Sequence, residues 1–249
     1  MQNKKKLTAL VTGGSRGIGR AVCLDIARSF AQKVIINYLQ NDTEARRTAK
    51  LVNDIGSEVQ LIKANMAFPD EIDRMFNEIK SESDSIDLFV HCAAINSFKP
   101  LIDIKPNQWD LIMNVNARSF LLCVQKCLPL MNKGKIVAVS SLGSQTFVPN
   151  YGALGPTKSA LESIIRFLAV ELVTKDIHVN GVTAGFVDTD SIKKFPDSES
   201  LIEYAIQRTP AKKIGKPQDV SNVVMFLLSS DSDWIFGQNI IADGGFTIY

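Results

Sequence analysis

The chain has 249 residues, 45% of them apolar, and a formal net charge of +2. That length and apolar content suffice for a full core in one large α/β domain or two small ones, and the near-neutral balance gives no bulk electrostatic case for nucleic acid or an anionic membrane. No run of 18 apolar residues occurs, so no membrane span is expected. The basic start at residues 4–6 precedes an apolar stretch broken too soon by glycine for a signal peptide. Cys23, Cys92, Cys123 and Cys127 show no CxxC spacing. They read as free buried thiols of a cytoplasmic protein in a reducing compartment, with no metal site.

In chain order, residues 7–12 form a first strand that runs into Thr12-Gly13-Gly14-Ser15-Arg16-Gly17-Ile18-Gly19. Residues 20–30 carry apolar side chains at 22, 26, 27 and 30, a helical spacing. A strand follows at 34–38, then a charged amphipathic helix at 42–55 closed by Gly56. Next come a strand at 59–64, a helix at 69–80 and a strand at 86–92 that ends in Ala93-Ala94. One long helix is expected over 106–130, begun near Asn107. A buried strand at 135–140 leads into the stretch from Ser141 to Lys158. Pro156 prefers a first helical turn, so the next helix is expected from near Gly155 to about 174. A strand at 177–183 is followed by a loop-rich, irregular segment at 186–216, a helix at 218–229 and a last strand at 239–242 before Asp243-Gly244-Gly245.

Strands alternate with helices, and no linker or repeat divides the chain. The expected fold is a single α/β domain over residues 1–249, a Rossmann-type doubly wound parallel sheet with helices on both faces. The insertion at 186–216 follows a strand's C-terminal end, where open α/β sheets bind ligands and long loops act as lids.

Two constellations carry chemistry. Gly13, Gly17 and Gly19, with Ser15, Arg16 and Ile18 between them, stand between a strand and a helix. Glycines there allow a tight turn and let backbone N–H groups approach a pyrophosphate at the helix N-terminus. An acid at the end of the second strand would bond the adenosine ribose, but that position is Asn37. Arg16 is the cation expected to face a 2′-phosphate, so the expected cofactor is NADPH. Asn65 and Met66, at the end of the third strand, are expected to flank the adenine. The second constellation is Ser141, Tyr151 and Lys158, the parts needed to hold and protonate an oxyanion: Tyr supplies an acidic O–H, and a nearby ammonium is expected to lower its pKa.

Thr12-Gly13, Gly17-Ile18-Gly19, Asn116 in Asn114-Val115-Asn116-Ala117, Ser141, Lys158, Val179-Asn180 and Asp243-Gly244-Gly245 resemble the motifs of the short-chain dehydrogenase/reductases, over essentially the whole chain. Ketone-reducing members of that superfamily carry Tyr-x3-Lys. Here Leu154 occupies the position four before Lys158, and the usable tyrosine is Tyr151, at Tyr-x6-Lys. That spacing, with residues 140–144, 150–172, 188–190, 195–196 and 243–245, resembles the type III, NADPH-dependent enoyl-[acyl-carrier-protein] reductases (FabL). The resemblance implies hydride delivery to C3 of an enoyl thioester, with charge appearing on the C1 oxygen. That oxygen lies roughly 3 Å from the hydride acceptor, against about 1.2 Å in a ketone, so the donor must stand further out.

By the same resemblance, Tyr151 bonds the thioester oxygen and Lys158 bonds the nicotinamide ribose. Ser141 is the carbonyl-polarising serine, and Asn116 holds a strand–helix kink and a water. Ala93, Ala94 and Gly185 let the cofactor approach, and Thr189 touches pyrophosphate or carboxamide. His91 replaces a structural asparagine, which puts a supporting bond in question. Phe186, Ile192, Phe195 and Leu201 are expected to line an acyl channel. Lys193, Lys194, Lys212, Lys213 and Lys216 form a basic rim suited to an acidic acyl carrier protein. A homotetramer is implied, with 159–173 and 218–228 available for packing across a two-fold axis. The alternative readings are a ketoreductase or alcohol dehydrogenase that uses Tyr151, and a non-catalytic NADP(H)-binding regulator.

Overall fold

Seven strands pair in parallel in the order β3-β2-β1-β4-β5-β6-β7 in the computed structural model, which describes residues 7–249. The strands are β1 (Leu7–Thr12), β2 (Ala31–Tyr38), β3 (Glu58–Lys63), β4 (Leu88–His91), β5 (Gly134–Ser141), β6 (Ile177–Ala184) and β7 (Asn239–Ala242). The central residues of β1, β2, β4 and β5 read as unbroken apolar runs because helices cover both faces. Ile35 and Ile136 point into one core layer, with Phe76, Phe89, Phe120 and Leu161. Their neighbours Ile36 and Val137 point into the other, with Val22, Ile26, Val182 and Val224. Each fully buried side chain of this kind contributes about 1.5–3 kcal/mol, so the two layers outweigh any surface ion pair in holding the sheet. The basic start at residues 4–6 lies outside the described residues.

The crossovers are α1 (Gly17–Ser29), α2 (Asp42–Asp54), α3 (Pro69–Glu82), α4 (Pro106–Met113), α5 (Ser119–Cys127), α6 (Leu154–Leu172), α7 (Ser198–Arg208) and α8 (Pro217–Leu228). The helix expected over 106–130 is present and continuous, as α4 and α5 joined by a π-turn at Asn114–Arg118, an extra residue per turn that hydrophobic periodicity does not reveal. Two expectations are corrected. The segment 186–216 is not irregular throughout, because it contains α7; only Ala205 of that helix is buried, so its apolar period is weak. β4 is shorter than 86–92, since Ile86 and Cys92 pair outside the strand with Leu130 and Thr12. Winding reverses between β1 and β4, and a crevice opens there at the carboxyl ends of the strands.

Candidate active site

A cavity of about 770 Å³ fills that crevice. Its walls include Gly13, Ser15, Arg16, Gly17, Ile18, Gly19, Asn37, Asn65, Met66, Ala93, Ala94, Ser141, Tyr151, Lys158, Gly185 and Thr189. Gly13 has φ +66°, and a Cβ there would come within 2.9 Å of the Ala93 backbone, so the loop can lie on the end of β4 only as glycine. No side chain caps the N-terminus of α1, and no acid stands in its first turn, which leaves its first N–H groups to a ligand anion. Asn37 serves this loop. Its Oδ1 accepts from Gly13 N (3.4 Å) and its Nδ2 donates to Ala64 O (3.1 Å). The amide that stands where an acid would bind ribose is thus tied into the fold. Asn65 is likewise engaged locally, its Oδ1 accepting from Ala67 N at 3.0 Å. The Arg16 guanidinium reaches across the cleft to Asp190 at 3.3 Å.

Tyr151 sits on the turn before α6, which starts at Leu154. The Tyr151 hydroxyl lies 2.8 Å from Ser141 Oγ. Burial pushes the phenol pKa up, and the bond with Ser141 opposes that shift. Lys158, only 4% exposed, donates from Nζ to Val139 O at 2.7 Å. Burial takes its ammonium down to about 8, with Cys92 and Glu162 acting in the opposite direction. The expected lowering of the phenol pKa by Lys158 is therefore corrected: in this state desolvation governs Tyr151, and the ammonium is spent on a strand carbonyl. One turn before Lys158, the position of the superfamily's usual tyrosine is filled by Leu154, which lines the same cavity.

Residues 13–247 match the family model described as enoyl-(acyl carrier protein) reductase. The chain belongs to the short-chain dehydrogenase/reductases. It is 35% identical to 1-cyclohexenylcarbonyl-CoA reductase of Streptomyces collinus, over 98% of this chain and 88% of that protein. It is 32% identical to a 3-oxoacyl-[acyl-carrier-protein] reductase (FabG) of Staphylococcus epidermidis, over 96% and 98%. Among solved structures it resembles the angucycline C-6 ketoreductase LanV with bound NADP, at 29% identity and TM-score 0.90, covering 98% of this chain and 96% of that one.

In this short-chain dehydrogenase/reductase, Asn116 does not line the cavity. The π-turn aims its side chain at the loop after β4. There Oδ1 accepts from Ile95 N (2.9 Å), while Nδ2 donates to Ile95 O (3.0 Å) and Thr157 Oγ1 (3.0 Å). It is a clamp between that loop and α6, inside a helix, and not the holder of a strand–helix kink. His91 restores the support in question: Nδ1 pairs with Thr12 Oγ1 at 2.9 Å. Burial takes its pKa to about 3, with Lys158 adding to the effect, so the ring is neutral. Cys23, Cys123 and Cys127 are buried thiols, but Cys92 is partly exposed and lines the cavity. No group able to hold a metal occurs among the described residues.

Phe186, Ile192, Phe195 and Lys194 reach the cavity from the insertion, whereas Leu201 does not. Phe195 stacks on Tyr151 (centroids 5.6 Å apart) and meets Phe98 edge-on at 4.5 Å. In the basic rim, Lys193 is paired with Asp188 (3.3 Å), and Lys212 Nζ donates to Gln207 O (2.8 Å). Phe98, Asp190 and Glu162 were not apparent as site residues from sequence. Glu162 had one signal, its place four residues after Lys158 on an apolar helix.

Proposed function

We propose that the chain is an NADPH-dependent reductase of acyl thioesters that saturates the C2=C3 bond of an enoyl thioester. The observation that carries this reading is the pairing of Leu154 with Tyr151. An apolar side chain, Leu154, fills the turn before Lys158, and the cavity phenol bonded to Ser141, Tyr151, stands on the preceding loop. This suits an oxyanion that forms roughly 3 Å from the hydride acceptor.

NADPH, when bound, supplies the hydride. The uncapped first turn of α1 fits its pyrophosphate, Lys158 its nicotinamide ribose, and Arg16, freed from Asp190, its 2′-phosphate. The pair with Asp190 is solvent-facing and worth about 0–1 kcal/mol, so a phosphate displaces it at little cost. The Tyr151 hydroxyl donates to the thioester oxygen, stabilises the enolate as charge develops and gives that oxygen its proton; the resulting enol tautomerises, C2 taking its proton from water as the oxygen's proton is released. Ser141 accepts from or donates to Tyr151 and keeps that hydroxyl aimed. Phe186, Ile192 and Phe195 receive the acyl chain. The Streptomyces relative supports this reading, because its substrate name describes a C=C next to a CoA thioester carbonyl.

The second reading is reduction of a 3-oxoacyl thioester. The Ser141–Tyr151 bond favours it, since a hydroxyl pair of that kind also polarises a ketone, and so do the FabG relatives and LanV. Either reaction suits fatty-acid or related acyl-chain biosynthesis. Delivery by an acyl carrier protein to the lysines of the insertion, assembly as a homotetramer through exposed apolar side chains such as Phe167 and Val170, and a cytoplasmic location belong to the same proposal. No helix among the described residues is long and apolar enough to cross a membrane.

The test is NADPH oxidation with crotonyl and, separately, acetoacetyl thioesters, with the products identified. Butyryl thioester from the first, lost in Tyr151→Phe, supports the proposal. 3-Hydroxybutyryl thioester from the second alone replaces it with the ketoreductase reading.

A further inference from the structure

Glu162 is 6% exposed and stands one turn beyond Lys158 on α6. Its Oε1 accepts from three hydroxyls: Ser140 at the end of β5 (2.6 Å), Ser144 in the turn that follows (2.6 Å) and Thr183 on β6 (3.0 Å). One buried oxygen therefore ties a helix to two strands and a turn, and one of its partners, Ser140, lines the cavity. Charge-assisted bonds of this length are the strong ones.

The clamped segment carries the site. Ser140 precedes Ser141, whose hydroxyl meets Tyr151. Ser144 closes the short 3-10 turn Leu142–Ser144. The Tyr151 ring lies directly on the middle residue of that turn, so that a Cβ on Gly143 would collide with Cδ1 and Cε1 of the ring. A Cβ on Gly155 would likewise come within 2.6 Å of Gly143 O, so the first turn of α6 leans on the same residue. The partner of the phenol hydroxyl and the floor under the phenol ring thus belong to one stretch, Ser140 to Ser144, and both ends of that stretch are anchored at Glu162.

We propose that Glu162 is a positioning residue that, by holding Ser140 and Ser144, fixes the turn on which the ring and hydroxyl of Tyr151 are set. Its weight in catalysis rests on the reading of Tyr151 as the group that meets the substrate oxygen, but the geometric claim does not. A misplacement of about 1 Å in such a group costs roughly 100-fold in rate.

The chain has four tyrosines, so cofactor-free protein labelled with 3-fluorotyrosine gives four ¹⁹F lines, and Tyr151→Phe assigns one of them to Tyr151. Glu162→Leu and Ser144→Ala are expected to shift or broaden that line and leave the other three in place. Glu162→Gln, whose amide oxygen still accepts hydroxyl protons, is expected to leave it near the wild-type position. Turnover of whichever thioester the wild type accepts is expected to fall at least roughly tenfold in the first two variants, with KM little changed. A Tyr151 line that coincides with wild type in folded Glu162→Leu or Ser144→Ala overturns the proposal. If Glu162→Leu does not fold, Ser144→Ala decides, since it keeps the carboxylate and removes one arm of the clamp. If the wild type reduces neither thioester, the proposed function fails, and the ¹⁹F comparison still judges Glu162.

Discussion

Lys158→Met is expected to stabilise the cofactor-free protein while abolishing its turnover. Lys158 is 4% exposed, and its Nζ has one protein acceptor, Val139 O. Burial lowers its pKa from 10.5 to about 8. At neutral pH the folded chain must still carry the ammonium, which costs about 3 kcal/mol relative to an unfolded chain with the ordinary value. Methionine fills a similar volume without the charge. It leaves Val139 O without its lysine partner, a loss of about 1 kcal/mol beside an open cavity. The net gain is about 2 kcal/mol, or about 4–8 °C in Tm for a domain of this size. The sign with pH is definite. Between about 8 and 10.5 the unfolded chain binds the proton more tightly than the folded one, so wild-type stability rises through that window and the gap to Lys158→Met closes. Thermal unfolding of both proteins at pH 7 and pH 10 reads this directly. A variant less stable than wild type at pH 7, or a gap of constant size across the window, refutes the reasoning.

Tyr151→Phe is expected to lower kcat roughly 100- to 1,000-fold and to change stability by about 1 kcal/mol or less, as read by steady-state kinetics beside thermal unfolding. Asp190→Asn releases Arg16 from its exposed pair, so Kd for NADPH is expected to tighten up to about fivefold and Kd for NADH to stay put; equal shifts for the two cofactors in a fluorescence titration contradict the assignment of Arg16 to the 2′-phosphate. Glu162→Gln removes a charge that opposes the lowering of the Lys158 pKa, so the alkaline limb of kcat/KM for NADPH is expected to move to lower pH, and an unmoved limb separates Lys158 from that titration.

Much of the framework was legible because it depends on short-range pattern. β1, β2 and β5 read as strands since an apolar run buried on two faces has few other solutions, and Pro69 and Gly56 marked helix ends by backbone preference alone. The glycine loop was legible because strand, glycine spacing and helix are contiguous in sequence. Leu154 already stood out as a residue with no proton to give. What escaped reading depends on which distant partner a side chain finds. The acceptor for Lys158 is Val139, nineteen residues back on another element. Asn116 turns away from the cavity because one extra residue in a helical turn rotates it toward Ile95. Arg16 pairs across 174 positions with Asp190, and α7 hid behind a mostly polar surface. None of these leaves a periodic trace.

The central claim is hydride transfer to C3 of an enoyl thioester with Tyr151 at the thioester oxygen. The most direct measurement uses NADPH carrying deuterium at the transferable position of the nicotinamide, crotonyl and acetoacetyl thioesters in separate reactions, and mass spectrometric and NMR location of the label. Deuterium at C3 of butyryl thioester, with no product from acetoacetyl thioester, is the predicted result. Deuterium only at the carbinol carbon of 3-hydroxybutyryl thioester, with crotonyl thioester untouched, contradicts the account and makes the chain a carbonyl reductase.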